Sequence, residues 1–570
     1  LVFPCLARGQ AVVINEIMFH PYQAAGQPED VASEFIELYN TGPDSVDVSG
    51  WTFTKGVGGY AIPNGTAIAG HGFLVVAADK DYFEGLHPDV SLVVGGWPGK
   101  LGNTEDTIEL VDGSGILVDR LTYADEGDWA VRELGPVELG ERGWQWSDQA
   151  DGGGRSLELI NPALPNEYGQ NWAASKAVGG TPGRANSVAA SDVAPLILDV
   201  GHAPIIPGPN DVVTVTARVV DEQATGVTVR VHYRADKSTW SAQNINVYPS
   251  YKASDYTVAT MFDDGAHGDG KAGDGVYGAQ IPSMPHNTIV EFFIEARDAG
   301  GKSRTWPAPS MIDGASQQVT NLLYQVDQTF DPAAPWPAGK QPVYYIIMTE
   351  VERGRLAYLV TKSTNQGPNS QMNATFISVD GVDVKVQYNA GVRNRGHGTR
   401  TLQPNQYHVA FPHDRLWKGV VAVDLNTNWS HVEVSSGAIY ALAGMAQPDC
   451  YPVQVRVNGQ NLAPVNLTLT CGSYAHLEDP DSDWAKHHFP NDPGGNLYKC
   501  MRSDSPAQEA NLRYLGTSPD SYRICYAKHT NSSAEDWSDL IELTRVLSDT
   551  TTSDDVYAQQ VGRVLNVDEW

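Results

Sequence analysis

Cysteine, basic charge and long apolar runs are all scarce in this chain. Its 570 residues include five cysteines, none spaced Cys-x-x-Cys, so the usual ligand pattern of a structural zinc knuckle is missing. No stretch reaches the ~18 consecutive apolar residues of a membrane span, and no transmembrane segment is expected. Lys and Arg number 38 against 68 Asp and Glu, a formal charge of -30. Such a surface repels phosphate backbones and anionic lipid, which excludes nucleic acid and leaves divalent cations and neutral or basic surfaces as partners. There is no Gly-x-Ser-x-Gly elbow and no pair of carboxylates in a glycosidase context, so two common hydrolase chemistries have no support.

What is present reads as an exported, multidomain protein. At a prior of ~150 residues per domain the length suggests three or four domains. The chain opens on Leu1, and residues 1–11 run from apolar to small, like the remnant of a signal peptide ahead of a start at Val12. Cys5 falls in that remnant. Cys450, Cys471, Cys500 and Cys525 remain, an even set confined to the last third of an exported chain, which predicts disulfides with three pairings open.

Residues 12–188 carry short apolar runs at 12–18, 34–40, 72–78, 107–111 and 116–123, separated by Gly, Pro, Asn and Asp, the pattern of a β-sandwich. Trp51 is expected in its core. Glu16 and Glu37 read either as cation ligands or as strand-end carboxylates bonded to turn backbone. Residues 192–308 alternate at 212–220, 226–233 and 288–298 and predict a second sandwich. Within it, Asp263, Asp264, Asp269 and Asp274 sit on a glycine-rich loop. That loop reads as a calcium site or as a solvated hairpin of Asp-Gly turns.

Residues 309–340 read as a linker carrying one strand, and a third domain is expected over 341–570. It holds a basic turn with Arg393, Arg395 and Arg400 beside glycines, able to cradle a phosphate or carboxylate, or else paired internally with the acidic stretch 478–483. Val434, Ala438, Ile439 and Leu442 fall on one helical face expected to be core, with Gly444 as C-cap. Ser532 and Glu535 have capping-box spacing ahead of a second amphipathic helix. Asp479, Asp481 and Asp483 could be read as metal ligands, but Pro480 and the dense charge favour a solvated loop.

Two families are resembled at specific residues. Ile14-Asn15-Glu16-Ile17-Met18, Glu34-Phe35-Ile36-Glu37-Leu38-Tyr39-Asn40, Val48-Ser49-Gly50-Trp51 and Asp106-Thr107-Ile108-Glu109-Leu110 resemble the successive signatures of lamin-tail domains, which are immunoglobulin-like. Arg393-Asn394-Arg395-Gly396, Val423-Asp424-Leu425-Asn426, Val453-Gln454-Val455-Arg456-Val457-Asn458-Gly459, Tyr474-Ala475-His476-Leu477-Glu478 and Gly495-Asn496-Leu497-Tyr498-Lys499 resemble the N-terminal part of CotH (spore coat protein H) kinases. The implied fold class is two all-β immunoglobulin-like sandwiches followed by an incomplete α+β kinase-like domain, in which residues 566–570 open a helix that is not continued. The resemblance implies a secreted or cell-surface bacterial protein whose full-length parent transfers phosphate from ATP, with Mg or Mn, to a protein or small-molecule acceptor. It makes Glu478 the carboxylate that orients a nucleotide-contacting lysine. Many relatives carry lysine just before the strand aromatic; here the sequence is Gln403-Pro404-Asn405-Gln406-Tyr407, without the cation that a triphosphate needs. The rival reading is a non-catalytic adhesion or scaffold protein whose pseudokinase-like module binds an extracellular or cell-surface protein or polysaccharide.

Overall fold

The computed structural model describes residues 12–223, 225–242, 250–362, 369–396, 399–463, 465–466, 470–501 and 509–566. The presumed signal remnant with Cys5, His397 and Gly398 of the basic turn, and residues 567–570 lie outside them.

The first domain is a sandwich. One sheet runs Trp172–Ala174, Leu157–Leu159, Val12–Met18, Phe35–Asn40, Phe73–Ala77, Val93–Gly95, and the other Thr52–Lys55, Glu105–Val111, Leu117–Ala124. Ile36 and Leu38 enter the shared core, with Trp51 packed at its edge. Phe35 points the other way and meets Phe83 of the helix Lys80–Leu86 edge-on at 5.5 Å. Both faces of this strand are buried, which is why its polar alternation is imperfect.

The second domain pairs Leu196–Ala203, Val213–Val220 and Val276–Ile281 against a sheet built on Thr257–Met261, Thr228–Ala235, Ile289–Arg297 and Ser303–Trp306. The segment read as a linker with one strand holds three. Leu322–Gln325 joins Ile289–Arg297, and the hairpin of Ser310–Ile312 and Ala315–Gln317 extends the Arg132–Leu134 and Trp144–Trp146 pair of the first domain. Pro, Ala and Gln composition concealed this, because each strand adds to a sheet edge made elsewhere in the sequence.

In the third domain seven strands close into a barrel: Val343–Ile347, Met372–Val379, Val384–Asn394, Tyr407–Ala410, Ala422–Asn426, Tyr474–Glu478 and Cys450–Val457, the last returning parallel to the first. Tyr344, Ile346, Phe376, Val392, Tyr407, Val409, Val423, Leu425, Val453 and Tyr474 fill the interior, each such burial contributing ~1.5–3 kcal/mol. Trp417 plugs one end against Tyr344, Phe376, Phe411 and His476. Outside, Tyr345, Ile347, Ile377 and Val379 pack on Ile206, Ile289 and Leu323 of the second domain. The first domain is tied on by Arg132, donating to Asn373 Oδ1 at 2.8 Å, and by Trp144 Nε1, donating to Glu352 at 2.6 Å.

Two helical expectations are corrected. The helix Ser430–Leu442 forms and Gly444 takes a positive φ of 77°, but the face expected in the core points outward, with Ile439 65% and Leu442 89% exposed. Gly437 sets this orientation, because a Cβ there would lie 3.0 Å from Cys450 Cβ, so the helix approaches the barrel along its smallest residue. Downstream, Ser532 and Glu535 form no capping box. The helix starts at Ser538 with the Asp536 carboxylate accepting from Ser538 N at 2.9 Å, while Glu535 turns aside to pair with Arg523 at 2.5 Å.

Candidate functional site

The barrel wall separates two polar sites. In register, Arg393 lies opposite His408, His408 opposite Asp424, and Asp424 opposite Leu477. Their sequence neighbours Val392, Val409, Val423 and Leu425 fill the barrel, so the pleat turns Arg393, His408 and Asp424 onto the outer surface. There Arg395 Nη2 meets Asp424 Oδ2 at 2.8 Å, and His408 Nδ1 meets Asp424 Oδ1 at 2.9 Å. Asp479 is 3.9 Å from His408, and Arg395 also donates to Asn426. Burial alone would raise the Asp424 carboxyl, but Arg395 and His408 outweigh it and hold the group at about 2. Burial lowers the Arg393 guanidinium, opposed by the charges of Asp424 and Asp479. Arg400 is buried, donating to Asn369 Oδ1 at 2.8 Å and the Asn394 carbonyl at 3.1 Å. Of the three arginines, Arg395 is paired with Asp424 and Arg400 is bonded to neutral oxygens.

Glu478 belongs to the other site. It faces Val423 across the ladder, and with His476 and Tyr474 it follows the inward side of its strand to the barrel mouth. His488 Nε2 approaches its Oε2 at 2.8 Å, His487 Nδ1 its Oε1 at 3.2 Å, and Asp449 N donates to Oε2 at 3.1 Å. Burial pushes the carboxyl up; the two imidazoles and the Asp449 N–H overcome it and leave the group below its ordinary value. A cavity of about 440 Å³ opens here, lined among others by Trp417, Tyr451, His476, Asp449 and Lys486. Among the described residues Glu478 forms its ion pairs with His487 and His488 and none with a lysine. The arginine turn and Glu478 sit on opposite faces of one wall.

His408, His487 and His488 were not singled out in the sequence. Strand alternation around Tyr407 and Val409 would have placed His408 outside the barrel; the adjacent histidines carried no spacing signal.

The remaining candidates are internally satisfied. Glu37, Glu16 and Glu158 stand in a row on adjacent strands. Glu16 accepts from Ser156 Oγ at 2.6 Å and Thr181 N at 2.7 Å, Glu37 from Gly183 N at 2.5 Å, and Glu158 from Val188 N at 3.0 Å. Burial raises Glu16 to about 7, and burial with the neighbouring Glu16 raises Glu37 well above its ordinary value. In the acidic loop Asp263 accepts from Gly273 N at 2.6 Å and Gly275 N at 3.0 Å, Asp269 from Gly265 N at 2.6 Å, Asp264 from Ala266 N at 2.9 Å, and Asp274 from Val276 N at 3.1 Å. These carboxylates tie the loop to itself. The disulfide expectation is not met: Cys450, Cys471, Cys500 and Cys525 are free thiols. Cys500 lies opposite Tyr526 in its ladder, one position out of step with Cys525.

Comparison with known proteins finds three family models along the chain, in the same order as the three domains. The lamin tail domain model matches residues 7–125, the conditioned medium factor second Ig-like domain matches 209–303, and the CotH kinase protein model matches 392–570. No curated protein matches the chain. Among solved structures it is similar to a cycloalternan-forming enzyme from Listeria monocytogenes in complex with a pentasaccharide substrate, at 9% identity and a TM-score of 0.13, covering 40% of this chain and 21% of that one. An uncharacterized protein from Listeria monocytogenes EGD-e, solved with glucose, magnesium and calcium, matches at 9% identity, a TM-score of 0.14 and the same two coverages of 40% and 21%. The chain thus spans about a fifth of the length of either, and similarity this low carries no functional argument.

Proposed function

We propose that this chain, in which a lamin tail domain, an immunoglobulin-like domain and a CotH kinase domain follow one another, is an exported bacterial surface protein whose full-length parent transfers phosphate from ATP to a protein or small-molecule acceptor. The observation that supports it is the CotH match, which starts at Val392 and takes in the whole Arg393–His408–Asp424 stripe. In this reading Arg393 and Arg395 receive the phosphates on the outer wall.

The Mg or Mn that such chemistry requires does not fit the residues described. Asp424 is already engaged by Arg395 and His408, and the cluster of potential ligands found among the described residues is two-thirds imidazole, whereas Mg2+ takes oxygen donors. Arg395 is neutralised by Asp424, and Asn405, near the position where relatives carry lysine, is buried against Asn394 at 2.9 Å. The chain as it stands is expected to hold nucleotide weakly and to transfer no phosphate.

The same ion pairs favour a second reading, a surface adhesion or scaffold protein whose third domain binds without catalysis. Incubation with radiolabelled ATP and Mg2+ or Mn2+ separates the readings. Label on acceptor or protein with the full-length parent, and none with this chain, supports the kinase; an unlabelled parent leaves the binding module.

A further inference from the structure

We propose that Glu478, His487 and His488 form a transition-metal site of the zinc class at the mouth of the barrel. The proposal is independent of the phosphotransfer reading. One ligand atom from each residue lies within 4.8 Å of the others, with His488 Nε2 2.8 Å from Glu478 Oε2 and His487 Nδ1 3.2 Å from Glu478 Oε1, so that small side-chain shifts would reach the ~3.4 Å edges of a tetrahedron with ~2.1 Å metal bonds. The His487 side chain, 62% exposed, is free to turn toward a shared carboxylate oxygen.

The local fold brings these groups together. Glu478 ends a barrel strand, and the helix Ser482–His488 doubles back so that its last two residues reach it. Asp481 fixes that helix by accepting from Asp483 N at 2.8 Å and Trp484 N at 3.2 Å, and the buried Trp484 ring packs on His488 at 5.1 Å. The Asp449 N–H holds the carboxylate in place from outside, as an outer-shell bond does in metal sites.

The donor set decides the metal. Two imidazoles and one carboxylate suit Zn2+, Co2+ or Ni2+, while Mg2+ and Ca2+ prefer oxygen. Three protein ligands leave a fourth position open, the pattern of reactive rather than closed structural zinc sites. Glu478 and His487 both line the cavity of about 440 Å³, which gives that position access to solvent.

Equilibrium dialysis of the untagged chain against Zn2+, read by elemental analysis, and Co2+ titration read by visible absorption test the site. The expected result is one ion per chain and intense tetrahedral Co2+ bands, unaffected by excess Mg2+. The exposed His487→Ala and the less exposed His488→Ala should each weaken binding by more than the ~10–100-fold that loss of an outer-shell partner costs. His487→Ala keeps the test valid if His488→Ala fails to fold. Absence of bound metal in the parent chain, binding unchanged in His487→Ala, or displacement by Mg2+ would each overturn the assignment; in those cases the histidines only hydrogen-bond the carboxylate.

Discussion

The first domain buries a row of three glutamates and the third a single glutamate beside two histidines, and the two groups are built to opposite ends. In the first, Glu16, Glu37 and Glu158 meet backbone N–H and hydroxyl groups from the returning segment 175–188, and Gly180 and Gly183 adopt φ of 74° and 77° to deliver them. Nothing else can enter: a Cβ on Gly180 would lie 2.0 Å from Glu16 Oε1. In the third, Glu478 meets titratable rings at the edge of a cavity. Burial raises Glu16 and Glu37, while imidazoles and a backbone N–H lower Glu478. A buried carboxylate marks both, but the partner type and an open side distinguish a clamp from a site.

The sharpest way to break this contrast is to pry the clamp open. Gly180→Ala combines a strained φ with overpacking and should cost roughly 2–4 kcal/mol in urea unfolding, with or without zinc. Wild-type stability would show that the clamp is not closed. Next in size is Asp424→Asn, which strips Arg395 and His408 of their buried anion; a loss of about 2–3 kcal/mol is expected, and little change would mean that the outer stripe is solvated.

A pH series sharpens the comparison further. Glu16 ionises at about 7 in the fold and near 4.5 unfolded, so the folded state binds more protons between these values and stability should fall as pH rises from about 4.5 to 7. His413, raised to about 9 despite burial by its bond to Asp125, contributes stability that is complete below 6.5 and lost as pH rises through 9. Both effects predict a lower urea midpoint at pH 9 than at pH 5, and Glu16→Gln should flatten the slope between 5 and 7; an unaltered slope would reassign it to other groups. The smallest effect is expected in the second domain, where millimolar calcium should leave the melting curve unmoved because Asp263, Asp264, Asp269 and Asp274 already cap the loop backbone. A calcium-dependent rise would restore the cation reading of that loop.

Much of the fold is legible in the sequence. The runs at 12–18, 34–40, 212–220 and 288–298 lie on strands because β-branched alternation and Gly-Pro-Asn-Asp punctuation are local signals. What failed was non-local. Strands at 310–317 and 322–325 exist only by adding to distant edges, and the Ser430–Leu442 helix turned its apolar face outward because Gly437, not Ile439 or Leu442, fits against Cys450. At the candidate site Arg395 and Glu478 were visible as residues. That a barrel wall separates them depends on the Asp424 to Leu477 register, and that His487 and His488 reach Glu478 depends on a helix doubling back; neither has a sequence period.

Anomalous diffraction at the zinc edge from crystals soaked in zinc tests the contrast between clamp and site in one experiment. A single strong peak between Glu478, His487 and His488, with none beside Glu16, Glu37 and Glu158 or along the loop of Asp263 and Asp269, is the predicted map. Density at the glutamate row or the acidic loop with none at the barrel mouth would contradict it.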